Sequence, residues 1–516
     1  MTPLLTRDAV RAVDRHAVAV LGLPSLALME SAGAGATAAL VERFAARLER
    51  VCVVGGTGQN GGDAWVVARQ LLARGVTPRC VLVGDEAQVH GDAQLNLGVL
   101  RALGVRVEVV LTADASDALE AALADATLVV DGLFGTGLSR PLEGLAAHAV
   151  ARINSAEAPV VALDLPSGID ADTGAVLGVA VRAAVTTTFA AHKRGLHQHP
   201  GVAHAGEVVL VSIGVPAGAL APAQLVDRRD VAALVALRAE DAHKGTAGHV
   251  VVFAGSPGHT GAAVLAGLGA LRGGAGLVTL APRAEARAAI DGKLLELMSA
   301  ELPADIGDAA RVALTLCEGK RAAVLGPGFG FADGLSKTLA LTLPIPCVLD
   351  ADALTALGAD VAALRSAAGP RVLTPHPGEA ARLLGIGVSA VQADRFAAAS
   401  RLAELSGHIV VLKGARTVIA EPLRTSYVCA EGTPALAVAG TGDVLAGAIA
   451  AQLAGQSGIA LLEAVTAAVV LHAVAGALAA RADRGLLAHE VADALPDALT
   501  TCREAAIAAG ARTQRR

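Results

Sequence analysis

Three polar, glycine-rich stretches in the first half of this 516-residue chain each follow a short apolar run. The first, Gly55-Gly-Thr-Gly-Gln-Asn-Gly-Gly-Asp63, comes after Val51–Val54 and before a helix expected to begin near Ala64. It contains Gly56-x-Gly58-x-x-Gly61, a spacing that lets backbone N–H groups approach a pyrophosphate at a helix N-terminus. In a dehydrogenase an acidic residue about 20 positions further on would hold the ribose, and Asp85 or Glu86 stands near that place. A plain phosphate loop does not need Asn60 and Asp63, whose oxygens point instead to a cation or a hydroxyl group. The second stretch is Asp131-Gly-Leu-Phe-Gly-Thr-Gly-Leu-Ser-Arg-Pro141, and the third is Leu163-Asp-Leu-Pro-Ser-Gly-Ile-Asp170. Any one of them alone is an ordinary turn leaving a buried strand. Together, at the carboxyl ends of successive strands, they mark the edge where open α/β sheets bind ligands.

The second half carries Ala439-Gly-Thr-Gly-Asp443, opening an apolar helix at Val444-Leu-Ala-Gly447. Its glycines expose a row of N–H groups at a helix N-terminus, an anion hole for a transferring phosphoryl group. Asp443 stands where a base would take a proton from an attacking hydroxyl; an Asp that only complements the helix dipole is the plain alternative. Five further loops accompany it: Gly255–Ala262, Gly326–Gly330, Asp350–Leu354, Thr374–Glu379 and Lys413–Thr417. No Gly-x-x-x-x-Gly-Lys-Ser/Thr occurs, so this is not a P-loop enzyme. The four histidines of His192–His204 have no acidic or cysteine company and read as a solvated loop rather than a metal site.

Short apolar or β-branched runs alternating with Ala/Leu-rich helical stretches must position these loops. The expected strands are Val51–Val54, Cys80–Val83, Val105–Val110, Leu128–Val130, Val160–Leu163 and Val208–Ile213, then His249–Phe253, Leu277–Leu280, Ala322–Leu325, Cys347–Leu349, Val372–Leu373 and Ile409–Leu412. Near-continuous apolar strands separated by helices predict an α/β fold with parallel sheets covered on both faces. A break with Pro216, Gly218 and Pro222 divides the chain near Asp227, giving domains 1–226 and 227–510.

Composition narrows the function. Hydrophobic residues reach 53 % and charged residues 17 %, which excludes disorder. Aromatic residues are only 2 % and the formal charge is −6 without a basic stripe, so nucleic acid is not an expected partner. Asp443, Gln452, Glu463 and His472 interrupt the most apolar stretch, Leu436–Ala480. A spanning helix needs about 20 apolar residues in a row, so no membrane is expected. Charged residues from Arg7 to Arg15 precede any long apolar run, unlike a secretory signal, and six scattered cysteines fit a reducing, cytoplasmic setting. A homo-oligomer is expected.

The Gln59–Asp63, Asp131–Pro141 and Leu163–Asp170 loops, with Leu28-Met-Glu-Ser-Ala-Gly33 and Thr188-Phe-x-x-x-Lys193, resemble the NAD(P)H-hydrate epimerase domain over about residues 1–226. The resemblance implies a Rossmann-like domain. It implies that Gln59, Asn60, Gly61, Gly62, Asp63, Gly135, Thr136, Gly137, Leu138, Ser139, Arg140 and Pro141 hold the hydrate, with Asp164 as acid/base carboxylate. Asn60, Asp131 and Ser167 would hold a potassium ion. Gln59 replaces a usual Asn, and Ala64-Trp65 a usual Gly followed by an aromatic or aliphatic residue. In the second half, His243-Lys-Gly245, Leu271-Arg-Gly-Gly-Ala-Gly276, His376-Pro-Gly-Glu379 and Gly440-Thr-Gly-Asp443 resemble the NAD(P)H-hydrate dehydratase branch of the ribokinase-like fold. That implies hydrate contacts from Ala262, Gly328, His376 and Asp443. It also implies an adenine nucleotide held by Lys413, Gly414, Ala415, Arg416, Thr417, Gly440, Thr441 and Gly442, with magnesium. Arg416 stands where the family often has Gly.

The expected activity is repair of hydrated NADH and NADPH: epimerisation of the R and S hydrates (NAD(P)HX) in the first domain, then ADP-dependent dehydration of the S form in the second, leaving AMP and phosphate. A small-molecule kinase fused to a regulatory nucleotide-binding module would instead give a stable phosphorylated product. An NAD-dependent dehydrogenase would transfer hydride directly, and a ligand sensor would turn nothing over.

Overall fold

The computed structural model describes residues 1–217, 221–293, 295–331, 334–455 and 459–513, so Gly218 of the expected break lies outside the described residues. The chain divides into two compact units, Thr2–Ala223 and Gln224–Arg516.

The first unit holds β1 (Thr2–Leu5), β2 (Val51–Gly55), β3 (Arg79–Val83), β4 (Val107–Val110), β5 (Leu128–Gly132), β6 (Val160–Leu163), β7 (Val185–Phe189), β8 (His192–Lys193) and β9 (Glu207–Val211). Seven of these form one all-parallel sheet in the order β4-β3-β2-β5-β6-β7-β9. Alternate residues of β2 face opposite layers. Val51 and Val53 join a core with Leu40, Trp65 and Leu97 from the helices Ser25–Phe44, Gln59–Leu72 and Gly91–Ala102. Cys52 and Val54 join a second core with Leu119 and Val150 from Asp117–Ala124 and Gly144–Ser155. Both faces are therefore covered, as near-continuous apolar strands require. β1 and β8 pair in parallel, with Leu5 opposite Lys193.

The second unit contains β10 (Ala223–Val226), β11 (His249–Phe253), β12 (Leu277–Leu280), β13 (Met298–Ser299), β14 (Ala322–Leu325), β15 (Cys347–Leu349), β16 (Arg371–Leu373), β17 (Ile409–Leu412), β18 (Val418–Ala420) and β19 (Ser426–Cys429). Their order is β13-β12-β11-β14-β15-β16-β17-β18-β19-β10. Pairing is parallel from β13 to β17 and antiparallel through β18 and β19. The helix Leu461–Ala479 is long and apolar enough to cross a membrane by length and composition, and its most apolar window is 78 % buried. Val465, Val469 and Val474 spend that apolar surface in the core of the unit.

Two helix starts differ from expectation. The helix expected near Ala64 begins at Gln59, and the one placed at Val444 begins at Thr441. In both, the motif itself forms the first turn, so its free N–H groups and side chains face the sheet edge together. Two strand ends are also trimmed: Val105–Val110 pairs only from Val107, and Val208–Ile213 runs as Glu207–Val211.

Candidate active sites

In the first unit β2 ends at Gly55 and the helix starts at Gln59. The turn between them is tight enough that a Cβ on Gly61 would lie 2.0 Å from the Gly56 carbonyl oxygen, so only glycine fits. After β6, Asp164 takes φ 67°, a left-handed conformation costly for a residue with a Cβ. Its N–H donates to the Thr187 carbonyl at 2.8 Å, which fixes the direction of the side chain.

The Asp164 carboxylate is fully engaged. Lys193 Nζ donates to Oδ1 at 2.5 Å, and Thr136 donates to Oδ2 from its N–H at 2.9 Å and from its hydroxyl. Lys193, wholly buried, spends its other hydrogens on Thr188 Oγ1 at 3.0 Å and the Phe189 carbonyl at 2.8 Å. Burial pushes the Asp164 carboxyl up, but the Lys193 charge and the bonds from Lys193 and Thr136 outweigh it and hold the group below the usual carboxylate range. Asp63 has no such hydrogen-bonded cation among the described residues: burial and then the Asp164 charge push its carboxyl well up, against the weaker pull of Lys193. Asp14 moves the same way for the same two reasons. Asp14, Asp63, Asp164, Lys193 and Thr136 line one cavity of about 820 Å³, whose wall also includes Gln59, Asn60 and Gly135 through Arg140. Gly61 and Gly62 pack inward, against Gly56 and Met29.

Asn60, Asp131 and Ser167 bring oxygens to the floor of these loops. Ser167 donates to Asp131 from its N–H at 2.9 Å and its hydroxyl at 2.7 Å, and Leu133 N–H adds a bond at 3.2 Å. Burial nevertheless raises the Asp131 carboxyl to about 6 against those bonds. Asn60 Nδ2 donates to the Leu163 carbonyl at 3.1 Å, while its buried Oδ1 has no partner among the described residues. A buried amide oxygen without a hydrogen-bond donor is chemically suited to a hard cation.

The tract His192–His204 is not the solvated loop expected. Lys193, Leu196, His197 and Gln198 are buried. The His192 and His197 rings stack 5.0 Å apart and share a hydrogen bond of 2.8 Å. Pairing with Asp164 is what draws the segment inward. The spacing of Lys193 from Thr188 in Thr188-Phe-x-x-x-Lys193 is the one sequence signal for this residue.

Trp65 occupies space that glycine frees. A Cβ on Gly55 would come within 2.5 Å of its ring, so the larger residue of the Ala64-Trp65 pair is packed into the turn itself.

In the second unit, Gly440 at φ 92° leads into the helix Thr441–Gly455. The Thr441 hydroxyl donates to the Leu436 and Val438 carbonyls, both at 3.0 Å, and buried His472 lies 2.9 Å from the Thr441 carbonyl. Lys413, at the end of β17, donates to Asp350 Oδ1 at 2.6 Å, and the Thr374 hydroxyl joins the same oxygen at 2.8 Å. A Cβ on Gly442 would lie 3.4 Å from Lys413 Nζ, so the ammonium borders the anion hole. Burial and Asp350 push Asp443 up to about 7, Lys413 pulls against them, and Asp352 adds to the rise. Gly328, at φ 56°, sits against Ala262: a Cβ there would meet the Ala262 methyl at 3.3 Å. His376 caps the helix Pro377–Leu384, accepting from Gly378 N–H at 3.0 Å, while its own N–H donates to Glu379 at 2.7 Å. Arg395, buried, donates to the Leu412 and Lys413 carbonyls at 3.0 and 3.2 Å and supports the loop Lys413–Thr417. Within that loop the Thr417 hydroxyl closes back on the Gly414 carbonyl at 2.9 Å. Arg416 takes φ 58°, which gives a physical reason for glycine at that place in the family.

A family profile described as NAD(P)H-hydrate dehydratase matches residues 250–497, and one described as YjeF-related protein N-terminus matches residues 25–195. Bifunctional NAD(P)H-hydrate repair enzymes resemble the chain over nearly its full length. That of Moorella thermoacetica is 39 % identical, covering 97 % of each chain. That of Coxiella burnetii is 37 % identical, covering 95 % of this chain and 98 % of the other. Among solved structures, an ADP/ATP-dependent NAD(P)H-hydrate dehydratase from Bacillus subtilis, co-crystallised with ATP/Mg2+, is 34 % identical. It covers 54 % of this chain and 99 % of its own, with a TM-score of 0.48. Two parallel-sheet units, each with its loops gathered at the carboxyl ends of its strands, and relatives alike from end to end leave one assignment: the chain belongs to the family of bifunctional NAD(P)H-hydrate repair enzymes.

Proposed function

We propose that residues 1–226 epimerise R- and S-NAD(P)HX and that residues 227–510 dehydrate the S form with ADP. The observation that carries the reading is one carboxylate per unit at a glycine-rich strand-end loop, each tuned differently. Asp164 is held ionised by Lys193 and Thr136, whereas Asp443 stands near neutrality at a helix N-terminus.

The damaged ring bears a hydroxyl on the carbon beside its nitrogen. In the first cavity ionised Asp164 accepts the hydroxyl proton, the ring C–N bond opens, and the aldehyde carbon rotates and recloses as the proton returns. Lys193 keeps Asp164 ionised between turnovers. Asp63, whose carboxyl is pushed up by burial and by the Asp164 charge, faces the bound hydrate beside Asp164. Gln59, Asn60, Gly61 and Gly62 with Gly135–Pro141 shape the pocket around it. Potassium held by Asn60, Asp131 and Ser167 would supply fixed positive charge under these loops.

In the second unit Asp443 takes the proton of the S-hydrate hydroxyl as that oxygen attacks the terminal phosphorus of ADP. The N–H groups of Gly440, Thr441 and Gly442 receive the developing charge, and Lys413 stands beside them. AMP departs as the new O–P bond forms; the ring nitrogen then expels phosphate, and the neighbouring ring carbon gives up a proton to solvent as the ring double bond is restored. Ala262, Gly328 and His376 contact the hydrate; Gly414, Ala415, Arg416 and Thr417 hold the nucleotide. Magnesium is typically bound by one or two carboxylates plus substrate phosphates, and Asp350 and Asp352 are the carboxylates at this strand end. Bound there, it would neutralise phosphate charge.

The setting is cytoplasmic, which suits six cysteines that are all free and buried. The protein is expected to sediment as a homo-oligomer of its 51.2 kDa chain.

Mixed hydrate epimers incubated with purified protein and ADP or ATP should recover the near-ultraviolet absorbance of NADH. A stable phosphorylated product without that recovery would make the chain a kinase.

A further inference from the structure

We propose that Arg7 is a positioning residue of the first site, holding the loop Gly135–Pro141 in the shape in which Thr136 donates twice to Asp164. The proposal rests on the reading of Asp164 as the epimerisation carboxylate. Arg7 opens the helix Arg7–Ala19, well over a hundred residues before that loop in sequence. Its Nε donates to the Thr136 carbonyl at 2.9 Å, and its Nη2 to the Leu138 carbonyl at 2.6 Å and to Asp170 Oδ2 at 2.7 Å. Its backbone N–H donates to Asp172 Oδ1 at 2.7 Å.

Asp170 is itself fixed: its other oxygen accepts from Asp172 N–H at 3.0 Å and from the Thr173 N–H and hydroxyl, both at 2.9 Å. The guanidinium fork therefore joins an immobile carboxylate to two carbonyls of a glycine-rich loop. A glycine on each side of Thr136 leaves that loop little stiffness of its own. Arg7 and Asp170 are both mostly buried, with side chains 15 % and 16 % exposed, which strengthens the link relative to a surface pair. One residue thus ties the carbonyl of Thr136 while the N–H and hydroxyl of the same residue hold Asp164 Oδ2. The same helix lends Val10, Arg11 and Asp14 to the cavity wall, so Arg7 also anchors that wall. The family match begins at residue 25, so Arg7 lies ahead of it.

The test is epimerisation kinetics on the full chain for Arg7→Ala, Arg7→Lys, Thr136→Val and the double variant Arg7→Ala/Thr136→Val. Misplacing a catalytic group by about 1 Å costs on the order of 100-fold, and a loss of that size is expected in kcat, with KM within about threefold of the wild type. Arg7→Lys keeps the charge but not the fork and should also lose rate. Because both residues act on one carboxylate, the double variant should lose little more than the worse single variant. Added guanidinium ion should restore part of the Arg7→Ala rate and none of the Thr136→Val rate. Wild-type kcat in Arg7→Lys, a change confined to KM, or losses that multiply in the double variant would overturn the proposal. Wild-type and Asp164→Asn protein run alongside keep the two readings apart. No epimerisation by the wild type, or full activity in Asp164→Asn, defeats the reading of the site rather than the role of Arg7.

Discussion

The Lys193 ammonium lies 2.5 Å from Asp164 Oδ1 with Lys193 entirely shielded from solvent, so each charge depends on the other for compensation. Removing one partner of such a pair typically costs about 3–5 kcal/mol, because the survivor is left buried and unpaired. Lys193→Met should lower the unfolding temperature of the first unit in calorimetry and abolish epimerisation. The pH dependence follows from the sign of the shift. A carboxyl depressed in the folded state contributes stability above its unfolded value, and that stability is lost as pH falls through the lower folded value. Without Lys193 the depression disappears and this acid-dependent loss goes with it, so the variant, less stable at neutral pH, should lose less stability than the wild type as pH falls. A variant with unchanged acid sensitivity would show that the pair does not hold Asp164 ionised.

Asp131 makes the cation proposal testable by pH as well as by mutation. Burial raises its carboxyl to about 6, and only the ionised form holds a cation well. The potassium concentration for half-maximal epimerisation should therefore rise as pH drops below about 6. Asn60→Leu should weaken potassium activation at every pH, since it removes the amide oxygen that has no partner among the described residues. Potassium titrations that superimpose across this range would remove the site.

Asp443 stands at about 7 and must be ionised to accept the hydroxyl proton. Dehydration should fall as pH drops through that value, and epimerisation, for which Asp164 is the proposed carboxylate, should not share the limb. Asp443→Asn keeps size but not basicity. Positioned acid–base groups are worth about 10²–10⁴ in rate, so turnover should collapse by that order while ADP still binds calorimetrically. A loss below about threefold would leave Asp443 as a helix-dipole residue.

Strand positions were readable wherever a buried strand is also an apolar run, as in Val51–Gly55 and His249–Phe253. β7 was not, because Thr186, Thr187 and Thr188 are fully buried yet polar in sequence. Their hydroxyls are satisfied by the Ala205, Ala162 and Ala191 carbonyls, partners that no local pattern reveals. The hairpin β18–β19 escaped for a different reason: no helix separates its two strands, whereas alternation with helices marks the parallel ones. In the candidate sites, the strand-end loops that carry Asp164 and Asp443 were legible from their glycine-rich chemistry and family likeness. Lys193, Asp350 and Arg7 took on roles only once the fold brought their partners across gaps of 29, 63 and more than a hundred residues. Long-range pairing is a property of topology, which a single sequence encodes without displaying.

The two units should act in series on one substrate pool and be separable by single substitutions. Spontaneous hydration gives both epimers, and only the S form is expected to enter the second site. Asp164→Ala should repair the S fraction of an epimer mixture promptly, while the R fraction lags at its slow spontaneous epimerisation rate. The recovered NADH absorbance should then rise in two phases, whose amplitudes report the initial epimer ratio. Asp443→Asn should recover nothing from either fraction, yet chromatography should show the epimers still equilibrating. Wild-type protein should consume the whole pool in one phase wherever epimerisation outpaces dehydration. Adding Asp164→Ala protein to Asp443→Asn protein should restore single-phase repair, because the hydrate diffuses freely between intact sites. A single fast phase from Asp164→Ala alone would show that residues 1–226 are not the epimerase, and would leave that unit a binding or regulatory role.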